Sequence, residues 1–245
     1  MASKKDDAVK VGTLNDIPNN EFIGTGFPEV DDVIGGFARR RITQLWGPPG
    51  VGKSFLLAKT MASIKGKVLY IDTEFALNKD RLESLGVNLK KIDYIASAEL
   101  EKITEYVIDN INTYDMVIID TIAKFTPTTV TTNKVGENSI GLYARQIAHF
   151  DAKLRPKLYE SNAALVCINQ VRSNFGSAYI STKPAGAFAW QHTVDMSLKL
   201  FKDTGNKVYK QTAGVKREIG HYCSIKVEKN RLGMPATTTK FLVNY

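Results

Sequence analysis

The sequence has only two cysteines, Cys167 and Cys223, among its 245 residues. They lie far apart, and Cys167 belongs to an apolar, strand-like run. They read as reduced core residues of an intracellular protein, which excludes a disulfide framework or a cysteine metal site. No apolar run approaches the ~20 residues that span a bilayer. Residues 1–7 are polar and charged, so no signal peptide is expected either. Internal repeats and low-complexity tracts are also lacking, which excludes solenoids and disordered arrays. Acidic charge is the scarcer sign: 33 basic against 25 acidic residues leave a net charge of +8. Such an excess favours polyanions such as nucleic acid, and is equally that of a basic protein kept soluble by charge.

What is present is ordinary globular composition, 43% apolar and 24% charged, in a chain long enough for one large α/β domain. Residues 1–21 read as a flexible polar N-terminal arm, and residues 22–245 as a single core domain. Apolar strand-like runs at 41–46, 68–72, 92–95, 116–120 and 164–168 alternate with helical periodicity at 54–64, 81–85, 100–111 and 140–159, with Pro156 a candidate break in the last. Residues 121–138 and 172–187 read as loops. Three antiparallel-looking strands, at 196–201, 222–227 and 239–243, close the chain; residues 202–221 are a basic polar insertion of no evident role. The expected fold is α/β: a mainly parallel twisted sheet with helices on both faces and antiparallel hairpins on one edge.

One motif stands in the context that gives it weight. Gly47-Pro48-Pro49-Gly50-Val51-Gly52-Lys53-Ser54 has the spacing Gly-x4-Gly-Lys-Ser, with a strand before it and a helix after. Glycines let backbone N–H groups close around phosphates, and the helix directs its N-terminal partial charge at the same anion. Phe55 opens that helix beside the nucleotide. Lys53 is expected to reach the β- and γ-phosphates of ATP, and the Ser54 hydroxyl to ligate Mg²⁺. Asp120 ends the apolar run Met116-Val117-Ile118-Ile119, where a Walker-B carboxylate would hold the same cation; the competing reading is a helix N-cap. Glu74, just past the strand at 68–72, is the candidate for activating the attacking water, or else a surface glutamate.

The chain resembles the RecA/RadA homologous recombinases over roughly residues 22–245, through an ordered series of motifs. Gly24-Thr25-Gly26-Phe27-Pro28-Glu29-Val30-Asp31 is similar to the opening of that ATPase core, and the phosphate loop follows. Tyr70-Ile71-Asp72-Thr73-Glu74 resembles the segment carrying the family's catalytic glutamate. Arg81 occupies the position whose side chain stacks on adenine in the archaeal and eukaryotic branch. Cys167-Ile168-Asn169-Gln170-Val171-Arg172 resembles "I-N-Q-[IV]-R", in which the glutamine senses the γ-phosphate; Gln170 would then couple it to the loop that follows. Residues 126–141 resemble the first DNA-binding loop, with Arg145 on the next helix as a DNA contact. Residues 172–189 resemble the second, where Arg172, Ser173, Asn174, Gly176, Lys183 and Gly186 would meet phosphates. Phe175, Tyr179 and Phe188 would stack on bases, or instead pack on the core. Lys226-Val227-Glu228-Lys229-Asn230-Arg231 resembles "K-x-x-K-N-[KR]", which implies that Lys229 and Arg231 reach a neighbouring subunit's ATP in the manner of arginine fingers; without the resemblance they would be solvated charges.

The resemblance implies a DNA-dependent ATPase using ATP and Mg²⁺, a homo-oligomer assembling as a helical filament on single-stranded DNA and pairing it with double-stranded DNA. Single-strand-binding or mediator proteins are further possible partners, and no membrane is involved. The expected location is cytoplasmic and nucleoid-associated, or the host cytoplasm for a phage protein. No stretch of the sequence resembles the helix-hairpin-helix domain of one branch or the large C-terminal domain of the other, so the expectation is a core-only form like those among phage recombinases and archaeal paralogues. A recombination mediator that loads another recombinase is the alternative expectation, and a ring helicase or clock-type kinase a third.

Overall fold

The structure is a computed structural model that describes residues 11–126, 142–173, 182–185, 188–212, 215–233, 235 and 237–245. Its centre is an eight-stranded sheet. Five strands fall where apolar runs predicted them: Ile42–Trp46, Val68–Asp72, Ile92–Ala96, Met116–Asp120 and Ala164–Asn169. Numbering in chain order, with the short pair Phe22–Ile23 (β1) and Phe37–Ala38 (β2) first, these are β3, β4, β5, β6 and β7. Short strands β8 (Val171–Ser173) and β9 (Thr182–Pro184) pair with each other, and β10 (Met196–Thr212), β11 (Val215–Asn230) and β12 (Thr238–Asn244) complete the set. The sheet order is β12-β11-β10-β3-β7-β6-β4-β5. From β10 to β5 every neighbouring pair is parallel; β11 and β12 add antiparallel to the far edge.

The parallel strands read as unbroken apolar runs because both their faces are covered. Val68, Tyr70, Met116, Ile118, Val166 and Ile168 join one core with helices α1 (Pro28–Ile34) and α2 (Lys53–Ser63). Leu69, Ile71, Val117, Ile119, Leu165 and Cys167 join the other, under α4 (Leu100–Asn110), α5 (Leu142–Glu160) and α6 (Phe188–Thr193); α3 (Lys79–Ser84) is a short helix beside the first core. Both cysteines are buried thiols, and they do not pair with each other in a disulfide. Among the described residues no helix is long and apolar enough to cross a membrane.

Three expectations need correction. The helix at α5 is not broken near Pro156 but runs through it. Ile147, Phe150, Leu154 and Leu158 are all buried at helical spacing on either side, and that apolar stripe outweighs the one backbone hydrogen bond the proline removes. The last strands are far longer than 196–201 and 222–227, because residues 202–212 extend β10 and residues 215–221 extend β11, an antiparallel pair with a register shift between Lys202 and Lys207. Its outer part exposes Lys207, Tyr209, Lys210, Val215, Lys216 and Arg217, so it has no buried face to print an apolar alternation. Finally, the segment 172–187 is not loop throughout: Arg172 and Ser173 belong to β8, and Thr182–Pro184 form β9.

Candidate functional site

Period-2 alternation decides which strand-end side chains meet. Tyr70 and Asp72 on β4, Ile118 and Asp120 on β6, and Ile168 and Gln170 at the end of β7 share the sheet face that carries α2. The carboxyl ends of these strands and the loop after β3 open on one cleft of about 490 Å³. Gly47, Pro49, Gly50, Lys53, Ser54, Phe55, Glu74, Arg81, Asp120 and Gln170 all line it, so the sequence-predicted phosphate-side residues come together.

The glycines of the loop answer to the strands behind it as well as to any ligand. Gly47 has φ 156°, and a Cβ there would meet the Leu200 carbonyl oxygen of β10 at 2.1 Å. Gly52 has φ 115°, and its Cβ would fall 2.6 Å from Val243 Cγ2 of β12. Gly50, by contrast, faces open space. The loop is therefore seated directly on the antiparallel edge of the sheet, with Pro48 contributing a carbonyl to the site and Val51 buried beneath.

Lys53 Nζ donates to the carbonyl oxygens of Gly47 and Pro48, both at 2.8 Å. Burial lowers its pKa, and the facing Asp120 opposes that shift. Asp120 is not a helix cap: Thr121 takes that place, its hydroxyl accepting from the Ala123 N–H of the next turn. The Asp120 carboxylate instead accepts from Tyr70 Oη at 2.7 Å and from Ser54 Oγ at 3.4 Å. Its pKa is raised, chiefly by burial; the Tyr70 hydrogen bond works against the shift, while Glu74 and Asp72 add to it. Tyr70 is itself pushed well above its ordinary value, by burial first and by Asp120 next.

Asp72 builds the turn that presents Glu74. Its carboxylate accepts from the backbone N–H groups of Glu74, Ala76 and Leu77 at 2.9–3.0 Å and from Tyr94 Oη at 3.1 Å. Phe75, at φ 56°, reverses the chain there. The Glu74 carboxylate accepts a hydrogen bond from Gln170 Nε2. Gln170 is in turn fixed to the far end of the following segment: Ala185 N donates to Gln170 O at 2.7 Å, and Asn169 Nδ2 donates to Ala185 O at 2.6 Å. Gln44 Oε1 holds that base from below, accepting from Asn169 Nδ2 and Trp190 Nε1. Thr73 and Thr121 tie the strand ends together, with Thr121 Oγ1 donating to the Ile168 carbonyl at 2.7 Å. On the cleft's outer rim, Arg81 lies 5.9 Å over the Phe55 ring and donates to Asn244 O at 2.6 Å.

These residues fit a magnesium–triphosphate group. One partly buried carboxylate and one hydroxyl face each other across the cleft, beside a glycine whose Cβ side is open. Among the described residues no cluster of three His, Cys, Asp or Glu forms an all-protein metal cage. That donor set suits Mg²⁺, which takes one or two protein ligands and completes its shell with water and phosphate oxygens.

Other predicted residues lie elsewhere. Lys229 Nζ donates to Gln191 O at 2.7 Å, and Arg231 Nη2 to His192 O at 2.8 Å, while Arg231 pairs with Asp195. Asn230 pairs with Met196, which pairs with Thr43, so both cations sit at the amino ends of the parallel strands; the phosphate loop leaves the opposite end of β3. They cannot serve the cleft of their own chain. Arg145 is exposed on α5 beside a groove against α4, and Lys183 is exposed on β9. Arg172 and Ser173 lie in β8, and Phe188 begins α6. Asn174, Phe175, Gly176, Tyr179 and Gly186 lie outside the described residues, as does the first loop from 127 to 141. Sequence reasoning missed Tyr70, Asp72, Thr121 and the Asn169–Gln44–Trp190 network. The one available signal was polar residues within apolar strands, which marks a buried hydrogen-bonded group without saying what it holds.

The sequence matches the family described as RecA N-terminal domain over residues 4–245. Among curated proteins it is similar to protein RecA of Allochromatium vinosum, 26% identical over 254 residues, covering 98% of this chain and 70% of that one. Protein RecA of Delftia acidovorans is 25% identical over 248 residues, covering 97% and 65%. Protein RecA of Borrelia duttonii is 28% identical over 238 residues, covering 92% and 63%. The chain thus spans about two thirds of the length of the curated relatives it matches.

Proposed function

The chain belongs to the RecA N-terminal domain family, and on that premise we propose that it is an ATP-dependent DNA recombinase. It assembles on single-stranded DNA and promotes pairing and strand exchange with a homologous duplex, with residues 22–245 as the ATPase core and 1–21 as its arm. The observation that carries this reading is the hydrogen bond between Gln170 and Glu74. It joins a carboxylate that lines the phosphate cleft to the base of the segment proposed to touch DNA.

Hydrolysis follows from the positions of the side chains. Glu74 accepts the proton of the water that attacks the γ-phosphate, and Lys53 exchanges its two loop carbonyls for phosphate oxygens. Ser54 and Asp120 would hold a magnesium ion, which would supply charge neutralisation on the phosphates. Arg81 and Phe55 flank the base. Lys229 and Arg231, remote from their own cleft, act on the phosphates of the next subunit, so ATP lies between protomers and turnover requires assembly. When the γ-phosphate departs, Gln170 reports the change through Ala185 to the segment 172–189. Arg172, Lys183 and Arg145 supply phosphate contacts, and the segment's aromatics supply stacking.

Electron microscopy with single-stranded DNA and a non-hydrolysable ATP analogue tests this. Long helical filaments are expected. Discrete particles would identify a mediator that loads another recombinase, and closed rings a different motor. Single-strand affinity should fall steeply with salt, because phosphate contacts release counterions.

A further inference from the structure

We infer that His221 is a positioning residue of the phosphate loop, holding the Val51–Gly52 peptide from behind. It rises from β11 within the stretch whose purpose was obscure in the sequence, and it is 1% exposed. Its Nε2 lies 3.3 Å from the Val51 carbonyl oxygen, and its Nδ1 lies 2.9 Å from Tyr245 Oη. A carbonyl only accepts, so Nε2 carries the hydrogen in this contact. Tyr245 Oη, whose single hydrogen serves either His221 Nδ1 or Glu218 Oε1, lies 2.9 Å from the latter as well, and Glu218 pairs with Lys207 at 2.6 Å. A continuous chain of polar contacts therefore runs from the basic hairpin into the back of the loop.

The consequence follows from the peptide unit. The Val51 carbonyl and the Gly52 N–H share one amide, so donation to the oxygen polarises the N–H toward its own acceptor. In a phosphate loop that N–H is one of the donors that close on the nucleotide. Cys223, Phe241 and Val243 bring β11 and β12 against Gly52 from the same side, so steric support and hydrogen bonding act on one peptide. His221 touches no substrate; it acts through the loop. Its removal therefore weakens nucleotide binding more than it slows the chemical step.

This rests on the nucleotide-site reading, and the test separates the two. ATP turnover and the affinity of a fluorescent ATP analogue are measured in magnesium buffer for the full chain and for His221→Leu, His221→Gln, Tyr245→Phe and Lys53→Ala. His221→Leu raises KM and the analogue Kd about fivefold with kcat changed less than about twofold, the effect of one lost hydrogen bond. His221→Gln, which keeps a side-chain N–H donor, recovers most of that affinity. Tyr245→Phe, at a residue 60% exposed, weakens binding in the same direction without threatening the fold. Wild-type affinity in His221→Leu overturns the inference, as does a His221→Gln no better than His221→Leu, which would reduce the imidazole to a space filler. Should His221→Leu not fold, Tyr245→Phe decides, and unchanged affinity there overturns it. Undiminished turnover in Lys53→Ala would remove the nucleotide-site reading itself, whereas loss there with indifferent His221 variants removes this inference alone.

Discussion

Replacing Lys53 by alanine separates what the fold needs from what the site needs. The ammonium makes two 2.8 Å hydrogen bonds, to the carbonyls of Gly47 and Pro48. Bonds to a charged group are worth about 1.5–3 kcal/mol each when isolated from other terms. Against them stands desolvation, because burial lowers the Lys53 pKa and the charged form costs the folded state at neutral pH. The freed carbonyls open on the cleft and are available to solvent there. The two effects oppose each other, so net stability should change by about 1 kcal/mol or less, a Tm shift of roughly 2–4 °C for a chain of this length. Turnover behaves differently. Removing one preorganised donor from developing negative charge costs about 10²–10³ in kcat. Phosphate release with magnesium and single-stranded DNA reads the second quantity, and a thermal melt by circular dichroism the first. A folded variant hydrolysing within threefold of the parent would refute the argument, since Lys53 would then not meet the phosphates.

Glu74→Gln should bind the ATP analogue as the parent does while turnover falls about 10²–10⁴-fold, the usual share of a general base; equal turnover would move that role to another residue. Lys229→Ala and Arg231→Ala should each suppress DNA-dependent ATPase although they leave the cleft of their own chain intact. Mixed with Lys53→Ala, which keeps the donor face but lacks the phosphate lysine, Arg231→Ala should regain activity above the sum of the two alone. Additive rates in that mixture would place Arg231 outside the shared site.

The parallel strands and the phosphate loop were legible in the sequence for one reason: local chemistry dictates both. Runs such as Val68–Asp72 and Met116–Asp120 must be buried on two faces, and Gly47 to Ser54 has the spacing a phosphate cradle needs. Lys53 and Ser54 could be named from the loop motif, Asp120 and Glu74 from their places at or just past strand ends, and Gln170 from the family resemblance, and the structure gathers them in one cleft. The hairpin through residues 202–221 was not legible, since its strands expose most side chains and are paired by register alone. Pro156 misled because a single residue signals a break, whereas the buried stripe from Ile147 to Leu158 is a property of packing. By itself, then, the sequence determined a doubly covered parallel sheet with an anion site at the end of its first long strand. Only the tertiary structure decided that Asp72 braces Glu74, that Ala185 closes back on Gln170, that Lys229 and Arg231 face away from their own cleft, and that β10 to β12 form the seat of the phosphate loop. Those relations join residues distant in the chain, and no local pattern encodes a contact whose partner is chosen by how the sheet assembles.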